Sequence, residues 1–247
     1  CLSACLKGIL PETLIYNGLE AGKKVAEEYS SIFPGRYYIE LQNHGIPEEL
    51  QNIQLATKLA KEMNNILVKQ GSYFLDAPVS GGEAGAQQGT LSVMVGGDEK
   101  VYMSIKDVLD SYSKFSKLMG PSGYGQLTKM VNQICIAGLI QSLAEGLHFA
   151  KKSNLEVKDV IEVISKGAAQ SWQMDNRWAT MSQDHYDHGF AVDHMRKDLK
   201  IAIQEAEKQG ASLEITKLID IFYEDIQKMG GSRWDTSSLL KRLQNND

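Results

Sequence analysis

The chain has 247 residues, 43% of them hydrophobic, with a formal net charge of −5 and a sequence pI near 5.6. That balance excludes a dedicated nucleic-acid binder, whose contact surface would be basic, and the length allows one large or two small domains with a real core. Three cysteines, Cys1, Cys5 and Cys135, suit a reducing compartment rather than a disulfide framework. No apolar run has the length of a bilayer span and no basic-then-apolar leader is present, so a soluble, cytoplasmic protein without a membrane partner is expected.

All five prolines lie at or before Pro121. Ahead of residue 73, helix and strand patterns alternate: "GLEAGKKVAEEYSSIF" is an amphipathic helix, "RYYIELQ" a strand, "PEELQNIQLATKLAKEM" a second helix and "NILV" a short strand. Such alternation predicts an α/β layer with parallel pairing. Two strands follow, "YFLDAPV" and "TLSVMVGG", then a helix over "DEKVYMSIKDVLDSYS" with Asp98 as its N-cap. "SKFSKLMG" reads as a strand and "GPSGYG" as a loop. The segment "QLTKMVNQICIAGLIQSLAEGLHFAKK" is apolar on most of its circumference, which predicts a long central helix with neighbours all round. Further helices are expected at "EVKDVIEVISKG", around "MRKDLKIAIQEAEKQG" and at "EITKLIDIFYEDIQKMGG". The fold class is therefore an α/β N-terminal part, an incomplete Rossmann-like sheet with an α/β fragment, followed by an all-α C-terminal domain.

Two features carry chemistry. In "DAPVSGG" a buried strand ends in Ser80, Gly81 and Gly82, either a tight turn or a place where bare N–H groups reach a ligand. In "GYGQLTKMVNQ", Lys129 sits early in a helix with Asn132 and Gln133 three and four residues on, so the three share one side. A lysine there either snorkels to solvent or is partly buried, and burial would lower its pKa and suit it to general acid or base work. In "DHYDHGFAVDH", His185, His188 and His194 with Asp184, Asp187 and Asp193 could be read as a metal cluster. The spacing lacks the regularity of zinc sites, so a polar loop without metal is preferred.

"FLDAPVSGGEAGAQQGTLSVMVGG", "GYGQLTKMVNQ" and "GFAVDHMRKDLKIA", in that order, resemble the β-hydroxyacid dehydrogenase family over residues 69 to 247. The resemblance implies an NAD- or NADP-linked oxidoreductase that exchanges a hydride between nicotinamide and a 3-hydroxy acid or semialdehyde. By that resemblance Ser80, Gly81 and Gly82 hold the substrate carboxylate and Lys129 is the catalytic lysine. Many family members carry Asn four residues after the lysine; here Gln133 stands there and Asn132 one position earlier, so either amide could fill the role. Lys197 and Phe190 fall where the family meets its cofactor, and Ser171 and Trp172 fall on the far wall of the substrate pocket. The family forms dimers or tetramers through the helical region, so a homo-oligomer is implied.

No Gly-x-Gly-x-x-Gly occurs after a strand, so the grip on the dinucleotide is expected to be impaired. In its place "CLSACLKGILPETL", "YYIELQNHGIPEE" and "KLAKEMNNILV" resemble part of the polymerase-and-histidinol-phosphatase (PHP) domain of the bacterial replicative DNA polymerase III alpha subunit. The expected organisation is a chimera: 1–68 an α/β fragment, 69–122 the last part of a dinucleotide-binding domain, and 123–247 an all-helical substrate and dimerisation domain. Residues 1–68 carry six Lys and Arg against eight Asp and Glu, a charge of −2, which gives no hold on DNA. Two other readings stand beside the enzyme: a non-catalytic oligomerisation module with a vestigial site, and a fragment of a replicative polymerase subunit.

Overall fold

The computed structural model describes residues 9–32 and 73–245, which divide between two units, Cys1–Phe74 and Leu75–Asp247. In the first unit, α1 (Ile9–Asn17) and α2 (Leu19–Ile32) meet at Gly18, whose φ of 81° turns the chain. Leu10, Leu14 and Ala26 are buried, and a Cβ at Gly22 would overlap the Leu14 side chain. The helix expected over Gly18 to Phe33 is α2; α1 was not foreseen, because Pro11 sits inside it, in the first turn where proline is tolerated. The strands and helix expected at "RYYIELQ", "PEELQNIQLATKLAKEM" and "NILV" lie outside the described residues.

The second unit begins with a mixed sheet around β3 (Leu91–Gly97), whose alternating Leu91, Val93 and Val95 are buried. On one side β1 (Leu75–Asp76) and β2 (Val79–Ser80) pair antiparallel with it, Leu75 opposite Gly97 and Ser80 opposite Ser92. The register runs unbroken across Ala77 and Pro78, so "LDAPVS" is one strand interrupted where proline lacks an N–H. The Pro78 carbonyl still accepts from Met94 N at 3.0 Å. On the other side β4 (Ser113–Gly120) pairs parallel with β3, reached through α4 (Glu99–Ser104) and α5 (Lys106–Asp110). The helix expected over that stretch breaks at Ile105, while Asp98 caps its start as expected, accepting from Val101 N at 3.1 Å. A short helix, α3 (Gly82–Gln87), joins β2 to β3.

From Tyr124 the unit is helical. Its axis is α6 (Tyr124–Lys152), 29 residues and therefore about 44 Å long. Around it pack α7 (Val157–Ile164), α8 (Trp172–Ser182), α9 (Val192–Gln209), α10 (Glu214–Lys228), a 3-10 turn (Thr236–Ser238) and α11 (Leu239–Asn245). Ile140, Leu147, Met195, Leu199, Ile219 and Tyr223 form the centre of the core. The expectation that α6 is surrounded needs correcting: Val131, Leu139 and Phe149 are 59%, 44% and 69% exposed, because the bundle packs on one face of the helix. The polar loop expected through His194 is also shorter than read, since α9 already begins at Val192. Helices α8 and α11 were not anticipated; their polar residues blur the 3.6-residue period.

The start of α6 presses against β3 without room for a side chain. A Cβ on Gly125 would collide with the Met94 carbonyl oxygen and lie 2.7 Å from Asp76 Oδ2, and one on Gly96 would lie 2.8 Å from Gly125 N. Gly125→Ala is expected to cost about 1–3 kcal/mol through overpacking, read as a lower urea midpoint at unchanged slope. Within α6, Ile140→Ala is expected to cost roughly 2–5 kcal/mol while Leu139→Ala, one residue away on the open face, stays within about 0.5 kcal/mol.

Candidate functional site

Gly81 and Gly82 have φ of 134° and 62°, a region that side chains resist, which explains two consecutive glycines after Ser80. Their surroundings differ. A Cβ at Gly81 would come within 3.0 Å of the Leu91 side chain, whereas nothing lies within 4 Å of one at Gly82. Gly81 is thus needed for packing and the Gly82 peptide faces open space. No side chain caps α3 at this turn. A hydroxyl, a half-open strand end and unshielded amides make a cradle suited to a carboxylate.

Four residues before Ser80, Asp76 is 7% exposed and reaches across to α6. Its carboxylate accepts from Gly123 N at 2.6 Å and Gln126 N at 3.0 Å, capping a helix whose own N-cap, Gly123, has no side chain. The negative charge also opposes the positive end of the helix dipole. Gly125 contacts β3 at Met94, and Ser80 pairs with Ser92, two residues away, or roughly 7 Å along the strand. Lys129 follows Gly125 by four residues, so it rises from the same helix face about 6 Å further on.

Lys129 is half-buried, and its ammonium is pushed below the ordinary lysine value. Burial is the main cause; Lys197 adds to it, and Asp198 opposes it. Beyond Lys129 the same face continues into a polar relay. Asn132 Nδ2 donates to Gln133 Oε1 at 2.8 Å, Gln133 Nε2 donates to Asp198 Oδ2 at 2.7 Å, and Lys197 pairs with Asp198 Oδ1 at 3.0 Å. Both ends of the buried Gln133 amide are therefore engaged, Oε1 with its neighbour Asn132 and Nε2 in joining α6 to α9. The structure brings Lys129, Asn132, Gln133 and Lys197 together, with Asp198 as the group that links them.

Ser171 and Trp172 stand at the start of α8. The Ser171 hydroxyl accepts from Met174 N at 3.1 Å as the N-cap, and Trp172, 57% exposed, has the Arg177 guanidinium 5.0 Å from its ring centre. Arg177 pairs with Asp235 at 3.3 Å. Asp235 is almost fully buried and also accepts from Phe190 N at 2.8 Å and from Ser237. One carboxylate therefore ties Phe190 to the α8 start. Phe190 keeps a partly exposed ring, its centre 5.7 Å from that of His194, with its carbonyl accepting from Thr236 N. His185 and His188 lie with ring centres 5.3 Å apart, and among the described residues no three His, Cys, Asp or Glu are grouped to hold a metal ion. No helix among the described residues is long and apolar enough to cross a membrane.

Sequence reasoning passed over Asp76, Arg177 and Asp235; Asp198 was legible only as a possible ion-pair partner of Lys197, a pair the structure shows at 3.0 Å. The signal for Asp76 was the pair of later glycines, Gly96 and Gly125, whose missing side chains make room for its carboxylate. Nothing in the local pattern marks Asp235, because its partners lie up to 58 residues earlier, at Arg177.

Two family models match in succession. Residues 51–120 match the NAD binding domain of 6-phosphogluconate dehydrogenase, and residues 123–243 match the NAD-binding of NADP-dependent 3-hydroxyisobutyrate dehydrogenase. The cofactor class of the match is thus NAD or NADP. An uncharacterized oxidoreductase of Shewanella frigidimarina is 58% identical over 186 residues, 75% of this chain and 64% of the relative. The 2-hydroxy-3-oxopropionate reductase of Escherichia coli is 35% identical over 76% of this chain and 63% of its own. The crystal structure of 3-hydroxyisobutyrate dehydrogenase from Salmonella typhimurium superposes with a TM-score of 0.65 at 27% identity, over 75% of this chain and 65% of that one. The chain thus spans just under two thirds of the relatives it matches. The observed sheet followed by a helical part is the fold of that dehydrogenase, as expected. The resemblance of 1–68 to a PHP domain finds no support, and the NAD-binding model begins at residue 51, inside the segment given to it. The two models and these relatives support the β-hydroxyacid dehydrogenase family for residues 51 to 243.

Proposed function

We propose that this chain is an NAD(P)-dependent oxidoreductase acting on a small 3-hydroxy acid or the matching semialdehyde. The observation that supports it best is one continuous helix face. It starts at Gly125 against the "DAPVSGG" strand, passes through a half-buried lysine of lowered pKa, and ends in the relay at Asp198. In this reading Ser80 Oγ and the Gly81 and Gly82 amides hold the substrate carboxylate, and charge-assisted bonds fix the acid's orientation. Neutral Lys129 accepts the hydroxyl proton as the carbon–oxygen bond becomes a carbonyl. Bound nicotinamide supplies the acceptor for the hydride that leaves the same carbon. In the reverse reduction Lys129 returns the proton.

The remaining roles follow from who is already engaged. Gln133 has both ends engaged, with Asn132 and Asp198, whereas Asn132 gives only its Nδ2 to Gln133, so Asn132 is the amide we assign to the substrate. Lys197 and Phe190 are assigned to the nicotinamide end, and Trp172, with Ser171 holding its helix start, to the far wall. The pyrophosphate has no glycine fingerprint to meet in this sequence, so we propose a weakened grip on the dinucleotide. We place the functional boundary near residue 122, between the two matched family models. A homo-oligomer through the helical part is proposed on the exposed Val131, Leu139 and Phe149 of α6.

Three measurements test this reading. With purified chain, NAD+ or NADP+ at saturation and a panel of 3-hydroxy acids, reduced nicotinamide is expected at 340 nm, on the order of a hundredfold slower or worse for Lys129→Ala. Full activity in that variant would remove Lys129 from the mechanism. Oxidation is expected to rise with pH to a plateau, with an apparent pKa below the free-lysine value of 10.5. Lys197→Gln removes a charge that lowers the Lys129 pKa, so the limb moves to higher pH; Asp198→Asn removes one that raises it, so the limb moves lower. In sedimentation velocity the chain is expected to run larger than 27.4 kDa, and Phe149→Glu to shift it toward the monomer.

A further inference from the structure

We propose that Asp76 is a positioning residue, which holds the start of α6 so that Lys129 stands at a set distance from the Ser80 turn. The inference rests on the roles assigned above to Lys129 and Ser80. Three observations carry it. Asp76 lies on the same interrupted strand as Ser80, in unbroken register against β3, so carboxylate and turn move as one piece. Its two oxygens take Gly123 N and Gln126 N, which belong to the first turn of the helix that bears Lys129. The chain has also emptied the space around it: a Cβ on Gly96 would lie 2.5 Å from Asp76 Oδ1, and one on Gly125 would lie 2.7 Å from Oδ2. An N-cap drawn from the same segment would stabilise α6 equally well. A cap drawn from 47 residues earlier, beside the anion turn, also sets where the helix starts relative to that turn.

Without this clamp the first turn of α6 would be anchored only by packing, and Lys129 would be free to drift toward water. A drift of about 1 Å is enough to slow a proton transfer that depends on alignment, by roughly a hundredfold. The groups that face Lys129 are Asn132 and Gln133 from its own helix and Lys197 and Asp198 from α9, and none of them replaces the clamp.

The test is an NMR titration of the Lys129 ammonium in the full chain, assigned with Lys129→Arg, for wild type, Asp76→Asn and a core control, Ile140→Ala. Loss of the Asp76 charge alone could only lower the Lys129 pKa, whereas loss of position exposes the amine and raises it. The expected result is a rise of at least about threefold in proton affinity in Asp76→Asn, with the control unmoved. An unchanged or lowered value in Asp76→Asn, or an equal rise in the control, overturns the proposal. Should Asp76→Asn fail to fold, Asp76→Ser, which keeps one oxygen acceptor in less volume, is read in the same way. With 3-hydroxypropionate and NAD+, Asp76→Asn is further expected to lose kcat on the order of tenfold or more with the KM for the acid little changed. A wild type that turns over no acid would sink the proposed function and leave the titration to decide the role of Asp76, so the two failures are distinguishable.

Discussion

A helix can begin against a sheet only if nothing fills the gap between them and something answers its unpaired N–H groups. Here both conditions meet at one place. Glycines at 96 and 125 leave the gap, and the Asp76 carboxylate fills it while accepting two of those N–H groups. The sheet and the helical part of the second unit are joined through that contact. The Ser80 turn is four residues down the strand, and Lys129 is one turn up from Gly125.

The polar side of the arrangement is economical. Asp198 receives Gln133 and Lys197 and acts on Lys129 through its charge, so one carboxylate keeps two lysines and two amides in register. Asp235 is a second such node, holding Phe190 by its backbone and Trp172 through Arg177. A buried carboxylate with a complete set of partners, as Asp235 has, costs little and restricts geometry strongly, whereas left unpaired it would be expensive. The burial of Lys129 follows the same logic. Its ammonium is disfavoured by desolvation and by Lys197, and Asp198 offsets only part of that. An amine balanced this way exchanges a proton more readily than an exposed lysine would.

The apolar side divides by function. The face of α6 that carries Ala137, Ile140, Ala144 and Leu147 is fully buried and holds α9, α10 and α11 around it. The opposite face keeps Val131, Leu139 and Phe149 open to solvent. A helix that is apolar all round but half-packed has a second surface to offer, and that surface is distinct from the polar relay near its N-terminus.

Local pattern alone was enough for β3, whose alternation is clear, and for the long run of α6, because these depend on periodicity within one segment. The Ser80-Gly81-Gly82 turn and the shared side of Lys129, Asn132 and Gln133 were also legible, since positive φ needs glycine and a helix puts residues four apart on one face. The relay to Asp198, the cap from Asp76 and the clasp at Asp235 were decided only by tertiary structure. Each joins residues between 45 and 65 positions apart, apart from the adjacent amides themselves, and no periodicity records a hydrogen bond across such a distance. Periodicity tells a chain which face to bury; it does not tell it which distant carboxylate will meet that face.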